Sequence, residues 1–190
     1  MTQAAAAAFL MLVLLFGGPW VTVQSTGAPE PQPARTAQEQ TDAPGADESS
    51  VLRVWNGTET VEMTMAAYLP GVVRGEMPAT FEEEALKAQA VAERTYIYYH
   101  LQRGGKANHP DADVCMDHTC CNAWTGAEQA AQKWGEQAEA YEAKIQEAVR
   151  ATDGQVMLYN GQLILAAFHS SSDGVTASCR DVWVQDLPYL

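Results

Sequence analysis

Alternation of apolar and polar positions begins at Val51. VLRVWN and ETVEMT alternate in part on either side of Asn56-Gly57, a turn-forming pair, and predict a short β-hairpin. Thr64 can cap a short helix through Leu69, and Pro70 then suits the first position of the next turn, which leads to Glu76. Pro78 disfavours helix at Met77, so Glu76 falls at the end of an element. Thr80 to Leu101 carries the strongest helical period. Phe81, Ala85, Ala88, Ala92, Thr95 or Tyr96, and Tyr99 form one buried stripe, and Thr80 with Glu83 has capping-box spacing. Gly104 to Thr125 has no period. Ala127 to Thr152 reads as helix with a break near Gly135, burying Tyr141, Ile145 and Val149 and stopping at Gly154. QVMLY and QLILAAF flank Asn160-Gly161 as a second hairpin, which empties into the polar loop His169 to Gly174. Helices mixed with hairpins, and no internal repeat, give an α+β class.

Ahead of Val51 the pattern changes twice. Ala4 to Phe16 is unbroken apolar sequence, and no charged side chain occurs from Ala4 to Val23. Residues 1–25 read as an uncleaved membrane anchor, with a signal peptide cut after Ser25 as the alternative; either places the remainder outside the cytoplasm. Residues 26–50 are rich in Pro, Ala, Gln, Thr and acid and read as a disordered linker, leaving 51–190 for the folded domain. The chain carries a net charge of −13, which argues against nucleic acid or anionic lipid as partner. An anionic ligand would need local cations, and Lys87 and Arg94, on one face of the predicted helix, are candidates. Charges at that spacing also commonly form a solvated face.

Three constellations can carry chemistry. Glu76 stands near Val72, Val73 and Met77, the apolar setting in which a carboxyl can serve as proton donor. His109, Cys115, His118, Cys120 and Cys121 offer the imidazole and thiolate donors that zinc prefers, although their spacing matches no common finger. Disulfides are the equal alternative, since four cysteines, Cys179 included, can pair in three ways in an exported chain. The third is His169-Ser170-Ser171-Ser172-Asp173-Gly174, whose hydroxyls can hydrogen-bond a sugar or simply build a turn. No G-x-S-x-G elbow supports a Ser/His nucleophile there. Asn56-Gly57-Thr58 fits a glycosylation sequon, but the turn explains it without a glycan.

Taken together, YLPGVVRGEMPATFEEEALKAQAVAERTY, the Cys115-to-Cys121 loop ending in NAW, YNGQLILAAFHSSSDGVT, and DVW with PYL resemble the stage II sporulation protein D family. The resemblance spans Val51 to Leu190 and implies a peptidoglycan lytic transglycosylase of septal wall remodelling and engulfment. It places the catalytic acid of the EMPA motif on Glu76, which would cleave the MurNAc-β-1,4-GlcNAc bond of peptide-stripped strands. Glu76 would protonate the leaving oxygen, then as carboxylate deprotonate the muramic 6-hydroxyl to close a 1,6-anhydro ring. Because the substrate supplies its own nucleophile, one carboxyl suffices. Lys87 and Arg94 match family positions and would hold a lactyl carboxylate or brace the site, while Ser170, Ser171 and Ser172 would line the glycan groove. The resemblance also implies a structural zinc on His109, Cys115 and Cys121, with His169 or His118 as fourth ligand. Implied partners are the membrane, glycan strands, a sporulation amidase (SpoIIP-type) and a membrane scaffold (SpoIIM-type).

The match has departures. SSSDG stands where the family shows SSGG, DVWVQ replaces VWGG, and Cys120 and Cys179 are extra thiols. The family's domain is expected to run on past Leu190, which makes the chain a fragment. The alternative function is a non-catalytic wall-binding module that stimulates an N-acetylmuramoyl-L-alanine amidase. A module that only binds glycan has no need of a proton donor at Glu76.

Overall fold

The computed structural model describes residues 45–190 apart from 106, 107, 110, 184 and 185, and these form one compact unit. The expected anchor, and the linker up to residue 44, lie outside the described residues. Among the described residues no helix is long and apolar enough to cross a membrane. Helices with few strands place the unit in the expected α+β class.

The first hairpin forms as expected. Strand β1 (Val51–Trp55) pairs antiparallel with β2 (Thr60–Thr64), Val51 facing Thr64 and Trp55 facing Thr60. Asn56 Oδ1 accepts from the N–H groups of Thr58 and Glu59 at 2.9 and 3.0 Å, and Gly57 takes the left-handed turn position at φ 100°. A parallel partner was not foreseen: β3 (Val114–Cys115) lies along β1, giving the order β2-β1-β3. Two residues are too few to show a period, and this short strand brings the cysteine loop against the hairpin.

Helix α1 (Ala46–Ser49) corrects the linker boundary. The Asp153 carboxylate accepts from the N–H groups of Ala46 and Asp47 at 2.8 and 2.7 Å, and the Asp47 side chain is buried against Arg94. The folded part therefore starts before Val51. Composition averaged over the linker hides the one acid that finds a buried partner.

Helix α2 (Met65–Glu76) starts where expected, with Thr64 Oγ1 accepting from Ala67 N at 3.2 Å, but it runs straight through Pro70. An interior proline costs about 3 kcal/mol. Tyr68, Leu69, Val72 and Val73, on both sides of it, are almost wholly buried, at roughly 1.5–3 kcal/mol for each large apolar side chain, so continuity wins. The helix stops at Glu76, and Met77 is extended ahead of Pro78, as expected.

Helix α3 (Glu83–Leu101) begins later than the capping-box spacing predicts. Lys144 Nζ donates to the carbonyls of Ala79 and Phe81, and Phe81 N donates to Pro78 O at 3.0 Å, holding this stretch as a turn. Its buried face keeps Ala92 and Thr95 of the expected stripe but is otherwise shifted. Phe81 and Ala88 are exposed, whereas Leu86, Gln89, Ala90, Glu93, Arg94 and Ile97 are also buried. Polar residues occupy that face because each of the three has a partner, described below.

The predicted break is real: α4 (Ala127–Trp134) and α5 (Ala138–Ala151) are joined by a 3-10 turn, Gly135–Gln137, with Gly135 at φ 55°. Ile145, Ala148 and Val149 carry α5 into a core shared with β1, α2 and α3. Asn160 and Gly161 both have positive φ, as the expected turn requires, but the second hairpin is short: β4 (Leu158–Tyr159) with β5 (Gln162–Leu163). A one-turn helix α6 (Cys179–Val182) follows.

Candidate active site

Glu76 is set by how closely another segment can approach the last turns of α2. Gly71 and Gly75 lie one turn apart, and a Cβ at either would collide, with the Trp124 indole and with the Ala123 carbonyl respectively. Their absence of side chain lets residues 122–125 lie directly on the helix. Thr125 N donates to Gly71 O at 2.9 Å, Trp124 Nε1 to Tyr68 O at 3.2 Å, and Ala123 N to Glu76 Oε1 at 2.5 Å. One carboxylate oxygen of Glu76 is thus fixed by a backbone N–H, and the other has no hydrogen-bond partner among the described residues. Arg74 braces the same turn with a forked pair to Glu142 at 3.0 and 3.2 Å and a bond to Thr125 O at 3.1 Å.

Glu76 borders a cleft of about 580 Å³ between the 74–80 segment and the α4–α5 corner, where Gln129, Lys133, Trp134 and Tyr141 form the far wall. Trp134 and Tyr141 meet edge to face, with ring centroids 5.7 Å apart. Glu76 is the one acid among the described residues that line this cleft.

A second carboxyl lies behind the first. Glu93 has no exposed surface and accepts from Gln89 Nε2 at 2.7 Å and from Asn122 Nδ2. Burial, reinforced by the nearby Glu76 charge and opposed by these two bonds, pushes its carboxyl up to about 7. Glu93 thus grips the residue next to Ala123, which holds Glu76. The periodic reading missed it because a charged residue was assigned to the solvent face.

The two candidate cations separate. Arg94 is wholly buried; its guanidinium takes both Asp47 oxygens at 2.7–3.0 Å and also donates to the carbonyls of Gln155 and Val149. Of its two implied roles, this geometry is that of bracing. Lys87 pairs on the surface with Glu83 and Glu84 at 2.7 and 2.9 Å, and those two acids hold its ammonium well above the usual range. Neither residue lines the Glu76 cleft.

The metal-capable donors gather, but in a different set. His109, Cys115 and Cys120 place one ligand atom each within 4.8 Å of one another. Cys120 therefore takes the place expected for Cys121, whose Sγ accepts from Cys115 N at 3.3 Å beside the cluster. Adjacent residues point differently: Cys120 joins His109 and Cys115, while Cys121 turns to the Cys115 N–H. The Trp55 ring stacks on His109 at 5.8 Å. His118 is exposed beside Asp117, and His169 lies elsewhere. All four cysteines are free thiols. Burial foremost, with the Cys115 thiol adding to it, pushes Cys121 up to about 12 and raises Cys120 as well. The donor set fits zinc in type; ligand atoms around a tetrahedral zinc are about 3.5 Å apart, so a small closure would bring these three into range and leave the fourth position to another donor.

His169, Ser171 and Ser172 line a different cavity, of about 600 Å³, with Val175, Val182 and Trp183. Ser170 is exposed. None of the three serines lines the Glu76 cleft among the described residues. Sequence reasoning also passed over Asn122, Ala123 and Lys133. In the sequence NAW reads only as the end of a loop, and the glycine pair one turn apart on α2 is the signal that something packs there.

Residues 56–159 match the family model described as stage II sporulation protein. The chain is 37% identical over 123 residues to stage II sporulation protein D of Bacillus subtilis, covering 65% of this chain and 36% of that protein. The Bacillus amyloliquefaciens protein of that name is 36% identical over 124 residues, with the same coverage. An amidase enhancer of Bacillus subtilis is 37% identical over 122 residues, 64% of this chain and 14% of that protein. The match spans about a third of the length of the sporulation proteins. With more than half of its residues inside the family model, this chain belongs to the SpoIID family of stage II sporulation proteins.

Proposed function

We propose that the chain is the acid-bearing part of a peptidoglycan lytic transglycosylase acting in septal wall remodelling during sporulation, with Glu76 as its catalytic acid. The supporting observation is a single carboxyl in a cleft whose other wall is aromatic and amide-bearing. Hydrolysing glycosidases generally need two carboxyls facing one another across the bond. A lone acid suits a reaction in which the muramic 6-hydroxyl is the nucleophile. Glu76 protonates the glycosidic oxygen as the bond breaks, and the resulting carboxylate takes the proton of the 6-hydroxyl as the 1,6-anhydro ring closes. Proton and leaving group balance within one residue and one substrate. Ala123 N–H, on one carboxylate oxygen, would steady the group for both steps.

His109, Cys115 and Cys120, with Cys121 adjacent, would hold a zinc ion. A zinc held there would supply a cross-link, and these residues would fix the loop from which Asn122 and Ala123 reach Glu93 and Glu76. The expected membrane anchor, amidase partner and scaffold belong to the same proposal. A second reading is favoured by the amidase enhancer among the relatives: a module that binds glycan and stimulates an amidase without cleaving.

The deciding experiment is mass spectrometry of peptide-free glycan strands after incubation with wild type and Glu76→Gln. Anhydro-muramic ends from wild type alone support the transglycosylase. Amidase stimulation equal in both proteins, with no cleavage by either, supports the second reading.

A further inference from the structure

Nine lysines and arginines lie among the described residues. Six are ion-paired with carboxylates, Lys144 holds two backbone carbonyls, and Arg103 lies 3.5 Å from the centroid of the Tyr99 ring. Lys133 is the remaining one, with neither ion pair nor hydrogen bond among the described residues, and it lines the Glu76 cleft.

Lys133 is exposed, so its ammonium is open to a ligand entering the cleft. Glu136, three positions on, would be its usual helical partner. The break at Gly135 ends α4 first, and the two form no ion pair among the described residues. One turn before Lys133 stands Gln129, a neutral amide on the same wall. Arg74, the other cation of the cleft, is neutralised by Glu142. The cleft thus offers an incoming ligand one acid, one uncompensated ammonium, and the Trp134–Tyr141 pair against which an apolar sugar face can lie.

We propose that Lys133 is the specificity residue of this cleft, the cation that binds a carboxylate carried by the glycan strand. The assignment rests on the cleft being a glycan site, and it moves anion recognition away from Lys87 and Arg94, both of which already have carboxylate partners. An unsubstituted hexosamine polymer has no carboxylate to offer. A muramic strand has one on its lactyl group, or on its stem peptide.

The test is binding of two probes, peptide-free muramic strands and the same strands with lactyl carboxylates converted to methylamides. Affinities are measured in Glu76→Gln protein, so that strands stay intact, with and without Lys133→Gln or Lys133→Arg. The preference for the acidic over the amidated strand should fall about ten-fold in Lys133→Gln and survive in Lys133→Arg, the loss of one charge-assisted hydrogen bond at a solvent-open site. Peptide-bearing strands, whose lactyl carboxyl is an amide, identify the source: a penalty confined to stripped strands marks the lactyl group, and one that extends to peptide-bearing strands marks the stem peptide. Equal loss of affinity for both probes, or no loss, overturns the assignment. A shifted preference without cleavage by wild type overturns only the transglycosylase reading, whereas failure to bind either probe overturns both.

Discussion

Replacing Asp47 by Ala should destabilise the protein more than its place at the edge of a linker suggests. Arg94 has no exposed side-chain surface, and Asp47 is 4% exposed. The guanidinium holds the carboxylate by three contacts of 2.7, 2.8 and 3.0 Å, and its other donors reach Gln155 O, Val149 O and Thr152 Oγ1 at 3.1, 3.3 and 3.4 Å. With Asp47 gone, a mid-helix cation remains in the core with neutral acceptors only. Removing one partner of such a pair costs about 3–5 kcal/mol, against a total stability of roughly 5–15 kcal/mol. Arg94→Met should cost less, because Asp47 sits on a short four-residue helix near the surface and can turn its carboxylate to water. The double variant should then be more stable than Asp47→Ala alone. Urea unfolding followed by tryptophan fluorescence reads all four corners of this cycle. A loss below about 1 kcal/mol for Asp47→Ala would refute the argument and return residues 45–50 to the linker.

Three further outcomes follow from the site. Gly75→Ala puts a methyl group into the Ala123 carbonyl; it should cost about 1–3 kcal/mol and displace the N–H that holds Glu76, so cleavage should fall while far-UV circular dichroism is kept, and unchanged cleavage would sink the idea. Glu93 has its folded pKa raised from 4.5 to about 7, so between those values the native chain keeps a proton that the unfolded chain releases, and stability falls as pH rises through that window, by about 3 kcal/mol in all. Glu93→Gln should remove this slope and be more stable than wild type at pH 8, and parallel pH profiles would count against it. For the metal, one zinc per chain should be released by a thiol-blocking reagent, and Cys120→Ala should lose it while Cys179→Ala, whose thiol contacts Leu187 instead, keeps it; the reverse pattern would dismiss the cluster.

Turns and helix ends were legible in the sequence because they depend on few residues. Asn56-Gly57, Asn160-Gly161, Thr64, Pro78 and Gly135 each act where they stand, and each did what its chemistry dictates. Pro70 and Thr80 did not, since burial beyond the proline and Lys144 on the carbonyls around Phe81 overruled them. The larger miss was the buried face of α3. Hydrophobic periodicity assigns the inside to apolar types, so a helix that buries Gln89, Glu93 and Arg94 is read rotated. The same rotation explains why Arg94 looked like a ligand-binding cation. Glu93 and Arg94 are neighbours that face different partners: Arg94 fastens α3 to Asp47 and α5, while Glu93 grips Asn122, whose neighbour Ala123 fixes Glu76. An effect of replacing Arg94 on the proposed cleavage would therefore need no contact with substrate. A brace that holds α3 holds the acid through three successive hydrogen-bonded or covalent links, whereas Lys133, on the opposite wall, is left free for the ligand.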